Sequence, residues 1–137
     1  DIKFNYKYLK NKKFNRKKNI KNILLDQSIV SGLGNIYVNE ILNYSKVNPK
    51  KNGSKLNANE IKLIIKYSKV VIKKAIIKGG SSIRDFKSSK GQKGSYQNEF
   101  RVYDRHEKKC LNKYCNGIIK RVFITSRSTF FCKKCQK

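Results

Sequence analysis

Methionine and tryptophan are absent from these 137 residues, proline occurs once, and acidic residues number only eight. A chain without Met that begins at Asp1 is expected not to start at a translation start, so the lack of a signal peptide carries no information. No apolar run approaches the ~20 residues of a spanning helix, which argues against membrane insertion. Too few acids are present for self-neutralisation: 34 Lys and Arg leave a formal charge of +26. Such a density repels itself unless a polyanion lies nearby, and a phosphate backbone is the expected partner. An A- and T-rich genome would inflate Lys, Asn and Ile through their codons and accounts for part of the excess. Cysteine is missing before position 110 and then occurs four times.

What is present divides into an expected helical unit over residues 1–99 and a smaller cysteine-bearing unit over 100–137. The basic lead-in 1–18, with Phe4, Tyr8 and Leu9, suggests one short helix packed by its aromatic face. The apolar cluster Ile20 to Leu25 and the stretch Ile36 to Leu42 flank Ser28 to Asn35, which predicts helix, turns, helix. Gly32 and Gly34 could take positive φ there and make the connection sharp. Asn57, three residues before Glu60, is a helix N-cap with a reciprocal acid. Ile61, Ile64, Ile65, Ser68, Ile72, Ala75 and Ile76 then recur at helical spacing, predicting a long amphipathic helix that ends at Gly79 and Gly80. Residues 81–98, rich in Ser, Gly, Lys and Gln, read as a long loop, a functional segment or a linker. Beyond them, Arg101 to Tyr103, Val122 to Thr125 and Thr129 to Phe131 are β-prone.

Cys110 and Cys115 flank four residues, Cys132 and Cys135 flank two, and sixteen residues separate the pairs. Two close pairs joined by a hairpin-length connector suit one tetrahedral Zn²⁺ held by four thiolates. Disulfides closing such short loops would be strained, and free thiols would leave a segment poor in aliphatics without a staple. Four thiolates fill the coordination shell, so the ion's role is expected to be structural. His106, beside Arg105 and Glu107, is expected to be solvated rather than a substitute ligand.

The segment Leu24 to Glu40, LLDQSIVSGLGNIYVNE, resembles the helix-two-turns-helix signature of the formamidopyrimidine-DNA glycosylases. The run from Cys115-Asn116-Gly117 through Arg127-Ser128-Thr129 to Cys132, Cys135 and Gln136 is similar to that family's zinc finger. Between them GGSSIRDF and the stretch Gly91 to Gln97, followed by Tyr103, resemble its lesion-covering loop and return strand. One departure is the four-residue spacing of the first cysteine pair, where many members have two. The resemblance implies a mainly α fold, a helix-two-turns-helix bundle followed by a four-cysteine β-hairpin zinc finger. It also implies a base-excision glycosylase and AP lyase acting on oxidised purines, 8-oxoguanine and formamidopyrimidines, in damaged double-stranded DNA. An endonuclease VIII-like enzyme for oxidised pyrimidines, a non-catalytic DNA-binding relative and an RNA-binding zinc ribbon are the alternatives.

By the same resemblance Asn35 grips a phosphate near the lesion beside Gly34, although it could instead cap the helix beginning at Ile36. Arg127 would clamp phosphates and donate a proton in δ-elimination, against the alternative of a solvated arginine. Arg16 and Lys17 would contact DNA, with Lys18 and Lys21 extending the patch or merely solvated. Tyr103 is either a phosphate donor or a core aromatic, and Ser81, Ser82, Ile83, Arg84, Asp85 and Phe86 would cover an extruded base. The family's nucleophile, an N-terminal Pro amine followed by Glu, has no counterpart here: Asp1 is no substitute and Pro49 is internal. The chain is therefore expected to be a monomeric DNA-binding part, inactive in isolation, from a bacterial cytoplasm or an organelle.

Overall fold

The computed structural model describes residues 5–14, 17–26, 33–77 and 100–137. Arg16, Gly32, Gly79, Gly80, the loop 81–98 and the base-covering residues within it lie outside the described residues. The elements run α1 (Tyr6–Phe14), α2 (Ile20–Leu25), α3 (Asn35–Tyr44), a 3₁₀ turn (Gly53–Lys55), α4 (Ala58–Ile77), β1 (Ile119–Ile124) and β2 (Arg127–Cys132). No described helix is long and apolar enough to cross a membrane.

Local signals set most boundaries. Asn19 caps α2 by accepting the Asn22 N–H at 2.8 Å. The Asn57/Glu60 box closes as expected: Glu60 N–H donates to Asn57 Oδ1 at 2.7 Å, and Asn57 N–H to Glu60 Oε1 at 2.9 Å. Along α4, Ile61, Ile64, Ile65 and Ser68 are buried, but Ile76 is 73% exposed and Val71 takes a core place instead. At about 1.5 Å per residue, α4 is twice as long as the α3 it packs on, so its last turn outruns that partner. The predicted strand at Arg101 to Tyr103 is instead a turn. Its three successive N–H groups converge on one carboxylate, Glu40, whereas a strand points alternate N–H groups to opposite sides.

One core joins helices and hairpin: Leu9, Ile23, Val38, Ile41 and Ile64 are continuous with Val102, Ile119 and Phe130. β1 and β2 pair antiparallel from Ile119↔Cys132 to Ile124↔Arg127. The two residues between them, Thr125 and Ser126, have φ of 51° and 64°, the signs that a tight turn following strand twist requires. The outer edge of β2 is closed by side chains instead of a third strand. Asn39 Oδ1 accepts the Phe130 N–H at 2.7 Å, Asn35 Nδ2 donates to Ser128 O at 3.0 Å, and Gln136 Oε1 accepts the Cys132 N–H at 2.8 Å.

Candidate nucleic-acid interface and metal centre

Helix α3 carries a polar stripe at four-residue spacing, Asn35, Asn39 and Asn43, with Glu40 beside it. Asn39, Glu40 and Asn43 are all buried. Glu40 accepts N–H groups of Arg101, Val102 and Tyr103 at 2.6, 3.0 and 2.9 Å. Burial pushes its carboxyl up from the usual range, and those three donors pull it back. Asn43 Nδ2 donates to Gln136 Oε1 at 2.8 Å, and Gln136 Nε2 to Val47 O at 3.0 Å. The sequence reading missed these residues because a polar stripe on a helix ordinarily marks its solvent face.

Asn35 does not cap α3. It is the helix's first residue, and the N-cap is Gly34, which offers no side chain to bond the N-terminal amides. Gly34 has φ −96° and ψ 174°, which any residue adopts, and a Cβ there would meet nothing within 4 Å. The expected positive φ is therefore not its reason for being glycine; what the position has, among the described residues, is an open approach to a helix N-terminus, a ready anion site.

Asn35 instead reaches the hairpin, where Lys21 meets the same carbonyl: Lys21 Nζ lies 3.3 Å from Ser128 O and 2.5 Å from Thr129 Oγ1. Lys21 is fully buried, contrary to its reading as surface charge. Burial first, and the Arg127 charge second, lower its pKa to about 8. Arg127 is exposed, the first residue of β2 after the turn. The turn is held to α2 by Asn22 Nδ2 on Thr125 Oγ1 at 2.9 Å. The Tyr103 ring belongs to the core, edge-on to Phe130 at 4.9 Å, while its hydroxyl faces the Asn35 side chain. Burial raises the Tyr103 pKa, against the Asn35 hydrogen bond and the Arg121 charge. Arg121, which the sequence reading passed over, is exposed and fixed: Nη2 donates to Ser128 Oγ at 2.9 Å, with the guanidinium 5.0 Å from the Phe123 ring centre. Lys17 is exposed. Thus Lys21, Asn35 and Arg127 meet at the turn end of the hairpin, and Arg121, paired with Phe130 further along, reaches Ser128 from the other face.

At the other end the four cysteine sulfurs lie within 4.8 Å of one another and could hold a metal ion. Cys110 and Cys135 Sγ are 3.7 Å apart, Cys115 and Cys132 Sγ 3.6 Å. A tetrahedral ion with sulfur at about 2.3 Å spaces its ligands about 3.8 Å apart, so the donor set fits. Both sulfurs of the first pair receive a backbone N–H from two residues further on, Cys110 from Asn112 at 3.5 Å and Cys115 from Gly117 at 3.4 Å. A Cβ at Gly117 would run into Cys132 Sγ, so glycine is required there. Burial pushes the Cys135 thiol up to about 12, so loading metal displaces a proton. His106 is exposed and is not part of the cluster.

Residues 1–87 match the family model described as the formamidopyrimidine-DNA glycosylase H2TH domain. The chain belongs to the formamidopyrimidine-DNA glycosylase family. The formamidopyrimidine-DNA glycosylase of Rickettsia bellii is 43% identical over 134 residues, covering 98% of this chain and 48% of that protein. That of Mycoplasma mobile is 42% identical over 132 residues, 96% and 46% respectively. Among solved structures, the complex between Lactococcus lactis Fpg and an abasic-site DNA superposes with a TM-score of 0.86 at 39% identity, covering 98% of this chain and 48% of that one. MutM with DNA containing carbocyclic 8-oxo-G gives 0.84 at 36% identity, covering 98% and 47%. The chain thus spans about half the length of the glycosylase relatives it matches.

Proposed function

We propose that this chain grips damaged double-stranded DNA as the DNA-binding part of a glycosylase and AP lyase that removes oxidised purines. The observation that carries the reading is the N-terminus of α3 set beside a hairpin end that Lys21 and Asn35 fix and from which Arg127 leaves, with Arg121 anchored on Ser128 from the other face. Backbone amides there point at an incoming phosphate and the helix dipole favours its charge. Arg127 adds a planar fork for a second phosphate contact and is the proton donor proposed for δ-elimination. Lys21 and Asn35 hold Ser128 from behind, so Arg127 leaves a fixed strand instead of a mobile tip. Lys17 and Arg16 extend the backbone contact, and Ser81 to Phe86 cover the extruded base. The four cysteines hold one structural Zn²⁺, which staples the hairpin and has no free position for an activated water. The chain works as a monomer, and a Pro amine nucleophile is supplied from outside these residues.

The test is binding of the zinc-loaded chain to duplexes with and without 8-oxoguanine, at several salt concentrations, followed by borohydride trapping. Salt-dependent binding without trapping, abolished by Arg127→Ala, is the expected result. Covalent trapping would place a nucleophile among these residues. Binding that ignores the lesion would leave a general, non-catalytic DNA-binding protein.

A further inference from the structure

Of the four residues enclosed by the wide first cysteine pair, only Asn112 turns inward; Leu111, Lys113 and Tyr114 are exposed. Its Nδ2 donates to Cys135 Sγ at 3.2 Å and to the α3 carbonyl of Asn43 at 3.4 Å. Its N–H points at Cys110 Sγ, 3.5 Å away, and its Oδ1 accepts from Arg101 Nη2. Arg101 continues the chain of contacts, with Nε on Asn43 Oδ1 at 3.3 Å and its own N–H on Glu40. One asparagine therefore touches two of the four sulfurs, one from each cysteine pair, and the helix on which the hairpin is seated.

We propose that Asn112 is a positioning residue that sets the metal affinity of the four-cysteine site and couples metal loading to the seating of α3. The inference rests on reading that cluster as a metal site. Four thiolates around one divalent ion carry a net charge of −2, and each N–H directed at sulfur disperses part of it. Three N–H···S contacts are present among the described residues, and Asn112 supplies two of them. The backbone contact survives substitution of the side chain; the one to Cys135 does not. The same amide group that relieves Cys135 also binds Asn43 O, so the sulfur cannot be displaced without disturbing the joint to α3.

Asn112→Leu keeps the volume and removes the donor. Zinc transfer from the loaded chain to a chromophoric chelator is expected to show affinity lowered roughly 10- to 100-fold. Cobalt-substituted protein is expected to show shifted thiolate-to-metal charge-transfer bands. Since the variant could fail to fold, a second measurement uses the unaltered chain loaded with a spin-half cadmium isotope, where an Asn112 side-chain amide proton is expected to couple to the metal through Cys135. Absence of that coupling overturns the proposal, as does a variant with unchanged zinc affinity and cobalt spectrum, even one with a lowered melting temperature. If the unaltered chain shows no four-thiolate cobalt spectrum, the metal reading itself falls and the inference with it; if it shows one but Asn112→Leu matches it, only the inference falls.

Discussion

Replacing Lys21 by Met isolates the buried cation behind Arg127. In the folded chain the lysine titrates near 8 against 10.5 when unfolded, so the folded state holds its proton less tightly. Below about pH 8 both states are protonated and the folded state carries the full cost of the buried charge. Between about 8 and 10.5 the unfolded chain binds more protons, so stability rises with pH. The whole shift corresponds to about 3 kcal/mol, of which about 2 kcal/mol is expressed between about pH 7 and 9.5. Met keeps the aliphatic stem and removes the titration. Ser128 O keeps Asn35 as a donor at 3.0 Å, and the Thr129 hydroxyl keeps the bond it donates to Arg127 O at 3.1 Å, so neither oxygen is left without a hydrogen bond. Urea unfolding of the zinc-loaded chain and of Lys21→Met at the two pH values measures the effect, since titration of thiols and tyrosines is common to both. The stability difference between them is expected to move by about 2 kcal/mol in favour of the lysine form at the higher pH. Parallel behaviour of the two proteins would refute the buried-cation argument.

Gly34→Ala is expected to leave urea stability within about 0.5 kcal/mol, because the backbone is ordinary and the new methyl meets nothing, while duplex affinity in a fluorescence titration falls. Unchanged affinity would mean that no phosphate approaches α3 there. Glu40→Gln turns an NH₂ toward at least one of three converging backbone N–H groups and is expected to cost about 2–4 kcal/mol in thermal unfolding. Arg121→Ala is expected to weaken duplex binding on all sequences alike and to lower the slope of log affinity against log salt by about 1, as for a single lost phosphate contact. Acidification is expected to release zinc, because protons compete for thiols of which Cys135 is pushed up to about 12; metal retention followed by chelator absorbance checks the direction.

The parts of this fold legible in the sequence rest on local chemistry. The Asn57/Glu60 box, the alternation of aliphatics along α4 and the two close cysteine pairs each state their structure within a few residues. Lys21, Asn39, Glu40 and Asn112 were not legible because their partners lie far along the chain: Lys21 meets Thr129, and Asn39 meets Phe130. Their side chains are of the types that usually face water, and composition cannot tell a solvated lysine from one buried under a hairpin. Asn35 shows the distinction sharply: spacing alone allowed a helix cap, and only the hairpin's approach makes it a cross-link.

What turns such residues inward is the unpaired edge of β2. A two-stranded sheet leaves outer N–H and C=O groups exposed on both strands and is marginal in water by itself. Here Ser128 O, the Phe130 N–H and the Cys132 N–H on that edge are taken by Asn35 and Lys21, by Asn39 and by Gln136. A third strand would satisfy the same groups, but side chains from α2 and α3, with Gln136 beyond β2, do so while fixing the hairpin's tip against the helix N-terminus. The joint that completes the sheet is therefore also the joint that sets Arg127 relative to Gly34 and Asn35. It follows that substitutions in the buried stripe should lower duplex affinity along with stability, although Asn39 and Asn43 lie too deep to touch a phosphate.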